Sequence, residues 1–218
     1  MALDLYNYFR SSSSYRVRIA LNLKGLAYRY LPVHLNRDGG AQFTAAFRAL
    51  SPDAVVPVVV DSDGAAVVNQ SLAIIEWLNE TQPGAPLLPA DPGERAWVRA
   101  LSLTIACEIH PLANLRVLKY LTGVLGVTEA QKADWARHWN RQGLAAVEAM
   151  LARRNQASTF CLGEQPGMAD CCLVPQVFNA QRFGVDVAAY PVISRIVAAC
   201  QALPAFADAH PARQIDAE

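Results

Sequence analysis

The 218-residue sequence has no apolar run approaching the roughly 20 residues that a membrane helix requires. It has no excess of either charge: 19 basic side chains face 19 acidic ones, which excludes a broad single-sign field for nucleic acid or a membrane surface. Its five cysteines, Cys107, Cys161, Cys171, Cys172 and Cys200, are odd in number, scattered, and form no CxxC pair. That pattern argues against a disulfide frame or a metal site and suits reduced thiols, packed as small apolar residues in helices. Met1-Ala-Leu-Asp has neither a basic n-region nor an apolar h-region, so no signal peptide is expected and a cytoplasmic location is. No repeat or low-complexity segment is visible.

What is present is globular. Hydrophobic residues reach 53% and charged ones only 17%, so charge acts locally and the placement of individual arginines carries the information. The length admits one large domain or two modest ones. Leu3-Asp-Leu-Tyr-Asn-Tyr8 alternates as a strand, and Ser14 to Gly25 gathers Val17, Ile19, Ala20, Leu21 and Leu23 on a helical surface ending at a glycine. A strand over Tyr28 to Leu35 and a short helix over Gln42 to Leu50 follow. Val55-Val-Pro-Val-Val-Val60 is a β-branched run divided by a proline that cannot donate to a ladder. Asp61-Ser-Asp-Gly64 then predicts a hairpin turn into Ala65-Ala-Val-Val68, and Gln70-Ser71 opens a helix through Leu78. The order β-α-β-α-β-β-α implies a small mixed sheet covered by helices. The proline-dense stretch around 85–92 reads as a linker between a domain over 1–84 and one over 93–218. Beyond it strand signals vanish, and helices are predicted over Glu94 to Leu121, Glu129 to Ala152, Met168 to Arg182 and Ile193 to Leu203.

Three features at the sheet's ends can hold an acidic peptide. Ser11, Ser12, Ser13 and Ser14 lie between a strand and a helix, where free N–H groups attract anions and hydroxyls add donors. Arg10 and Arg16 flank the run and would favour a thiol in its thiolate form. Read alone, four serines before a helix are a polar loop and a cap before they are a site. Val56-Pro57, if cis, would present the Val56 backbone to a peptide-like ligand, and Gln70-Ser71 is a second helix start with side-chain donors.

The stretch Ser11-Ser-Ser-Ser-Tyr-Arg-Val-Arg-Ile-Ala-Leu-Asn-Leu-Lys-Gly25 closely resembles the signature of zeta-class glutathione transferases, the maleylacetoacetate isomerase family. The likeness continues through Val56-Pro57, Gln70-Ser-Leu-Ala-Ile-Ile-Glu76, Leu87-Leu-Pro89, His110-Pro-Leu-Ala-Asn-Leu-Arg116, Met168-Ala-Asp170, Leu173-Val-Pro-Gln-Val177 and Tyr190-Pro191. It implies an α/β thioredoxin-like glutathione-binding domain, an all-α second domain and a homodimer. It also implies site residues. Ser11, Ser12, Ser13, Ser14, Tyr15 and Arg16 would surround the glutathione sulfur, Val56 would pair with the cysteinyl backbone, and Gln70 and Ser71 would hold the γ-glutamyl carboxylate. Gln42, His110, Asn114, Leu115 and Arg116 would complete the pocket.

The implied reaction is addition of the glutathione thiolate to the cis double bond of a maleyl keto-dicarboxylate, rotation, and departure of the thiolate to leave the trans fumaryl isomer. Ser11 and Ser12 are the expected thiolate partners, and Arg10, Arg116 and Arg182 the expected grips on substrate carboxylates, since a guanidinium binds them bidentately. Arg182 also reads as a surface residue at a helix end. Maleylacetoacetate and maleylpyruvate both fit as substrates. A glutathione transferase or dehalogenase acting on small α-halo acids is an alternative, as is a non-catalytic glutathione-binding protein. Three positions depart from the family pattern. Ser13 stands where cysteine is usual, Val55 replaces a polar residue, and Gly167 replaces a Ser/Thr helix cap before Asp170.

Overall fold

Alternation in Leu3-Asp-Leu-Tyr-Asn7 buries Leu3 and Leu5 on one side and produces strand β1 (Leu3–Asn7). The structure is a computed structural model that describes residues 3–61, 66–154 and 158–218. Helix α1 (Ser12–Leu23) carries the chain across to β2 (Tyr28–Pro32), which lies parallel to β1 with Tyr30 opposite Leu5. After the short helix α2 (Ala45–Leu50) come β3 (Val58–Asp61) and β4 (Val67–Asn69). β3 runs antiparallel to both β1 and β4, giving the sheet order β2-β1-β3-β4. Helix α3 (Ser71–Thr81) completes the element order that the hydrophobic pattern predicts. The expected hairpin-turn residues 62–64, with Ala65 after them, lie outside the described residues.

The β-branched run divides at Pro57: the Val56–Pro57 bond is cis, and strand β3 starts at the next residue. Tyr8, Phe9, Val33, Phe47, Val56 and Val58 form one apolar cluster, so the turn after β1 and the Val-Pro segment rest on a shared floor.

Two compact units emerge, Met1–Leu88 with Ala202–Glu218 and Pro89–Gln201. The division differs from the sequence reading, which ran the helical domain over 93–218. Helix α4 (Pro92–Leu103) does start where the proline-dense stretch ends, but Leu87 and Leu88 are already buried in the first unit. Residues 202–218 also pack there, through helix α9 (Pro204–Ala209) against α1. Phe206 is wholly buried, Asn22 Nδ2 donates to Ala205 O at 3.0 Å, and Arg18 Nε donates to Ala209 O at 3.0 Å. These partners lie far away in sequence, so nothing local in 202–218 announces them.

The second unit is helical among its described residues: α4, α5 (Leu115–Gly123), α6 (Glu129–Arg154), α7 (Met168–Arg182) and α8 (Pro191–Gln201). The single helix expected over Glu94 to Leu121 is interrupted. A π-helical turn (Thr104–Ile109) and a 3₁₀ turn (His110–Ala113) intervene, because Pro111 has no N–H to donate and Asn114 is extended at φ −68°, ψ 147°. Gly143 on α6 lets that turn approach, since a Cβ there would collide with the Ile109 side chain. Among the described residues no helix is long and apolar enough to cross a membrane.

Candidate functional site

The serine run is not a loop ahead of a helix; most of it is the helix's first turn. Ser11 is the N-cap of α1, its Oγ accepting from Ser14 N at 3.2 Å. An oxygen that spends a lone pair on the cap keeps its O–H proton for another acceptor. Ser14 is turned the other way: it is wholly buried and its Oγ accepts from Tyr8 N at 3.4 Å. Tyr15 is also interior, with its hydroxyl donating to Phe206 O at 3.5 Å. Ser12 is buried and Ser13 half-buried at the helix start, where the positive end of a twelve-residue helix favours an anion. The run therefore divides into members available to a ligand, chiefly Ser11, and members that hold the turn.

Three arginines surround this turn in different states. Arg10 is exposed, with its guanidinium 5.5 Å from the Phe9 ring centroid and 6.0 Å from that of Tyr8, and Nη2 donates to the Tyr8 hydroxyl at 3.4 Å. Arg16 is 2% exposed, and its Nη1 donates to Ser71 Oγ at 3.2 Å. That bond ties Arg16, in the second turn of α1, to the first residue of α3. Arg18 is wholly buried and spans the turn from beneath: Nη1 donates to Asn7 Oδ1 at 2.9 Å and Tyr8 O at 3.4 Å, and Nη2 to Phe9 O at 2.8 Å. Burial pulls its pKa below the usual arginine value, opposed by Tyr30, Tyr28, Tyr15 and Asp216.

Gln42 lies in a 3₁₀ turn (Ala41–Phe43) and is 5% exposed. Its Nε2 donates to Leu35 O at 3.2 Å, whereas Oε1 is buried with no partner among the described residues. A buried orphan acceptor costs about 1–3 kcal/mol, so the atom calls for a donor such as a peptide amide or an amine. Gly40 makes the placement possible: it sits at φ +100°, and a Cβ there would lie 2.6 Å from the Gln42 amide. Gln70 shows backbone strain at φ +68° and donates through Nε2 to Asp53 Oδ2 at 3.2 Å. Ser71 then opens α3 with its hydroxyl accepting from Arg16. Glutathione, an acidic tripeptide with one thiol, fits this donor set: the hydroxyls of Ser11 and Ser71 suit its anionic groups, and Gln42 Oε1 suits one of its N–H groups.

The second unit places His110 at the start of the 3₁₀ turn and Asn114 just after it, with Asn114 Nδ2 3.5 Å from His110 Nε2. Asn114 caps α5, its Oδ1 accepting from Arg116 N at 3.1 Å, which leaves Leu115 half-buried and the Arg116 side chain exposed. Arg182 is exposed in the last turn of α7, with its guanidinium 5.9 Å from the Phe183 ring centroid. None of the five cysteines is in a disulfide. Burial pushes the thiols of Cys161, Cys171 and Cys200 up, so these are poor nucleophiles. Asp170 accepts from Cys161 N at 2.8 Å and reaches back to Gly167 N at 2.9 Å, forming half of a capping box whose other half a glycine cannot supply.

Sequence reading counted Arg18 only as part of a helical segment and passed over Asp53. A signal for Arg18 existed: an arginine among Val17, Ile19, Ala20 and Leu21, all of them buried, has to bring partners with it. Asp53 carried none, because its partner Gln70 is reached only through the fold.

Residues 10–81 match the family described as glutathione S-transferase, N-terminal domain, and residues 141–212 match its C-terminal domain. A probable maleylacetoacetate isomerase of Vibrio cholerae is 50% identical over 217 residues, covering 100% of this chain and 99% of its own. A solved holo structure of maleylpyruvate isomerase, a bacterial zeta-class glutathione S-transferase, superposes with a TM-score of 0.93 at 47% identity, covering 99% of this chain and 100% of that one. A maleylacetoacetate isomerase from Anaeromyxobacter dehalogenans, solved with dicarboxyethyl glutathione and citrate in its active site, superposes with a TM-score of 0.86 at 43% identity, covering 100% and 98%.

Proposed function

Because the chain belongs to the glutathione S-transferase family, matched in both of its domains and over its full length, we propose that it is a glutathione-dependent cis–trans isomerase of maleyl keto-dicarboxylates. The observation that carries the reading is the intact peptide cradle of the first unit, in which Ser11, Gln42 and Ser71 each keep hydrogen-bonding capacity in hand. Full-length likeness to isomerases then selects the reaction.

Bound glutathione supplies the thiolate that adds to the cis double bond and leaves again once the bond has rotated. The protein's part is electrostatic. Ser11, with Ser12 and Ser13 beside it at the start of α1, donates to the sulfur and holds it ionised; Ser14, Tyr15 and Arg16 keep that turn in place. Val56 offers backbone to the cysteinyl residue, and Gln70 and Ser71 hold the γ-glutamyl end. Arg10, Arg116 and Arg182 are assigned to the substrate's carboxylates and its developing negative charge, and His110, Asn114 and Leu115, with Arg116, to glutathione. Serine at position 13 leaves the thiol entirely to glutathione. The same reading carries a homodimer, a cytoplasmic location and a role in aromatic-compound breakdown, such as that of tyrosine.

Both maleylacetoacetate and maleylpyruvate remain as substrates, since relatives named for each align along nearly the whole chain. The test is a side-by-side assay of the two, with and without glutathione. Isomerisation is expected only with glutathione; turnover without it overturns the reading. Arg182→Ala is expected to impair dicarboxylate turnover far more than glutathione binding, and unchanged kinetics would remove Arg182 from the mechanism.

A further inference from the structure

The backbone of Tyr8 and Phe9 immediately precedes Arg10 and Ser11, and all four of its polar groups are committed. Tyr8 N–H donates to Ser14 Oγ, and Tyr8 O accepts from Ser11 N–H at 3.1 Å and from Arg18. Phe9 O accepts from Arg18 Nη2. The fourth group, Phe9 N–H, donates to Asp216 Oδ2 at 3.1 Å, across 207 positions of chain. The other oxygen of Asp216 accepts from the hydroxyl of Tyr30 on β2. Asp216 thus braces the turn against the neighbouring strand. Its segment is itself tied down, with Glu218 bonded to His34 Nε2 at 2.9 Å and to Arg37, and Gln214 Nε2 donating to Asp208 O at 2.8 Å.

We propose that Asp216 is a positioning residue for the isomerase reaction, fixing Phe9 so that Arg10 and Ser11 present their side chains in one arrangement. The inference rests on the glutathione reading above. A backbone N–H bonded to a carboxylate is held about twice as strongly as one bonded to a neutral acceptor. Phe9 also carries the ring on which the Arg10 guanidinium lies, and Ser11 N–H is anchored on the preceding carbonyl. Freeing Phe9 N–H leaves the turn held by Arg18 and Ser14 but no longer tied through Asp216 to Tyr30 on β2. Nothing in the sequence marks Asp216, because its work is done on a segment at the opposite end of the numbering.

The test compares Asp216→Ala with Asp216→Asn, which keeps an oxygen for Phe9 N–H but drops the charge. Hydrogen exchange over Tyr8 to Ser14 is measured without glutathione. The thiolate absorbance of bound glutathione, its dissociation constant and the isomerase rate are measured with it. Asp216→Ala is expected to speed exchange across the turn, raise the pH at which the bound thiol ionises, and lower kcat/KM on the order of 10- to 100-fold, the scale of a misplaced reacting group. Glutathione affinity should change less than threefold, about 0.6 kcal/mol, because Gln42 and Ser71 are untouched. Asp216→Asn should recover most of the loss, whereas a pure charge effect would move both variants alike and overturn the proposal. Unchanged exchange in Asp216→Ala also overturns it, as does altered exchange with unchanged thiol titration and rate. An absent thiolate signal in the unsubstituted protein would sink the glutathione reading itself, and that outcome is visible before any variant is made.

Discussion

Arg16 Nη1 and Ser71 Oγ lie 3.2 Å apart, and this one bond joins the N-terminal parts of α1 and α3. Ser71→Ala removes an acceptor from a buried guanidinium and a hydroxyl from the proposed γ-glutamyl site. The expected result is a glutathione dissociation constant raised roughly 5- to 30-fold, the equivalent of about 1–2 kcal/mol. Turnover at saturating glutathione should stay within about twofold, because interactions equal in ground and transition states do not alter kcat. Calorimetric titration with steady-state kinetics checks the split; a fall in kcat with unchanged affinity would contradict it.

Neighbouring serines should behave differently. Ser11→Ala loses the cap of α1, worth about 1 kcal/mol. It also loses the donor assigned to the thiolate, on the order of 100- to 1,000-fold in kcat by analogy with other single donors to a developing anion. Ser14→Ala leaves the buried Tyr8 N–H without its acceptor and should cost about 1–3 kcal/mol of stability, with a smaller effect on the bound thiolate. Urea unfolding alongside the absorbance of the bound thiolate separates the two, and equal loss of that absorbance in both would refute the division.

Gly40→Ala tests the role of Gln42 indirectly. At φ +100° an alanine is strained, and its Cβ would press on the Gln42 amide. A stability loss of about 1–3 kcal/mol is expected from the backbone alone. Weaker glutathione binding should accompany it as Gln42 swings away. Retained affinity at lowered stability would show that Gln42 Oε1 does not meet the ligand.

His210 gives the fold a pH dependence of known sign. Its Nδ1 accepts from Ala212 N at 3.2 Å. Burial lowers its pKa below the ordinary 6.5, and the charges of Arg18 and Arg213 add to the effect. The unfolded chain therefore protonates first as pH falls. This contribution is complete above pH 6.5 and is lost progressively below it, until the folded-state pKa is passed. His210→Asn, which keeps an acceptor for Ala212, should cost less and less relative to the parent as the pH drops from 8 to 5. A pH-independent difference in urea midpoints would disprove it.

At the start of α7, Gly167→Ser should complete the half-built capping box with Asp170. Gly167 has φ −140°, which a serine adopts freely. A gain of a few tenths of a kcal/mol is expected, read as a higher urea midpoint with an unchanged slope.

Much of the first unit was legible in its sequence. Alternation at Leu3 and Leu5, the helical spacing of Val17 to Leu21, and a proline splitting the valine run are local signals, and each element they predict is present. The second unit was less so. Apolar spacing runs through 94–121 without pause, and only the backbone chemistry of Pro111 and the extended Asn114 breaks it into α4, a π-helical turn, a 3₁₀ turn and α5.

For the candidate site, the sequence by itself determined the residue types: serines and arginines at one helix start, Gln70-Ser71 at another, and a valine before a proline. It determined them because helix caps, charges and prolines act on their near neighbours. Only the tertiary structure decided which serines face outward, which arginine joins the N-terminal parts of α1 and α3, and which lies beneath the turn. It alone brought residues 202–218 back to the first unit and set Asp216 against Phe9. The physical reason is that a buried N–H or guanidinium takes whatever acceptor the packing brings within 3 Å or so, and proximity in space across 207 positions leaves no trace in local pattern.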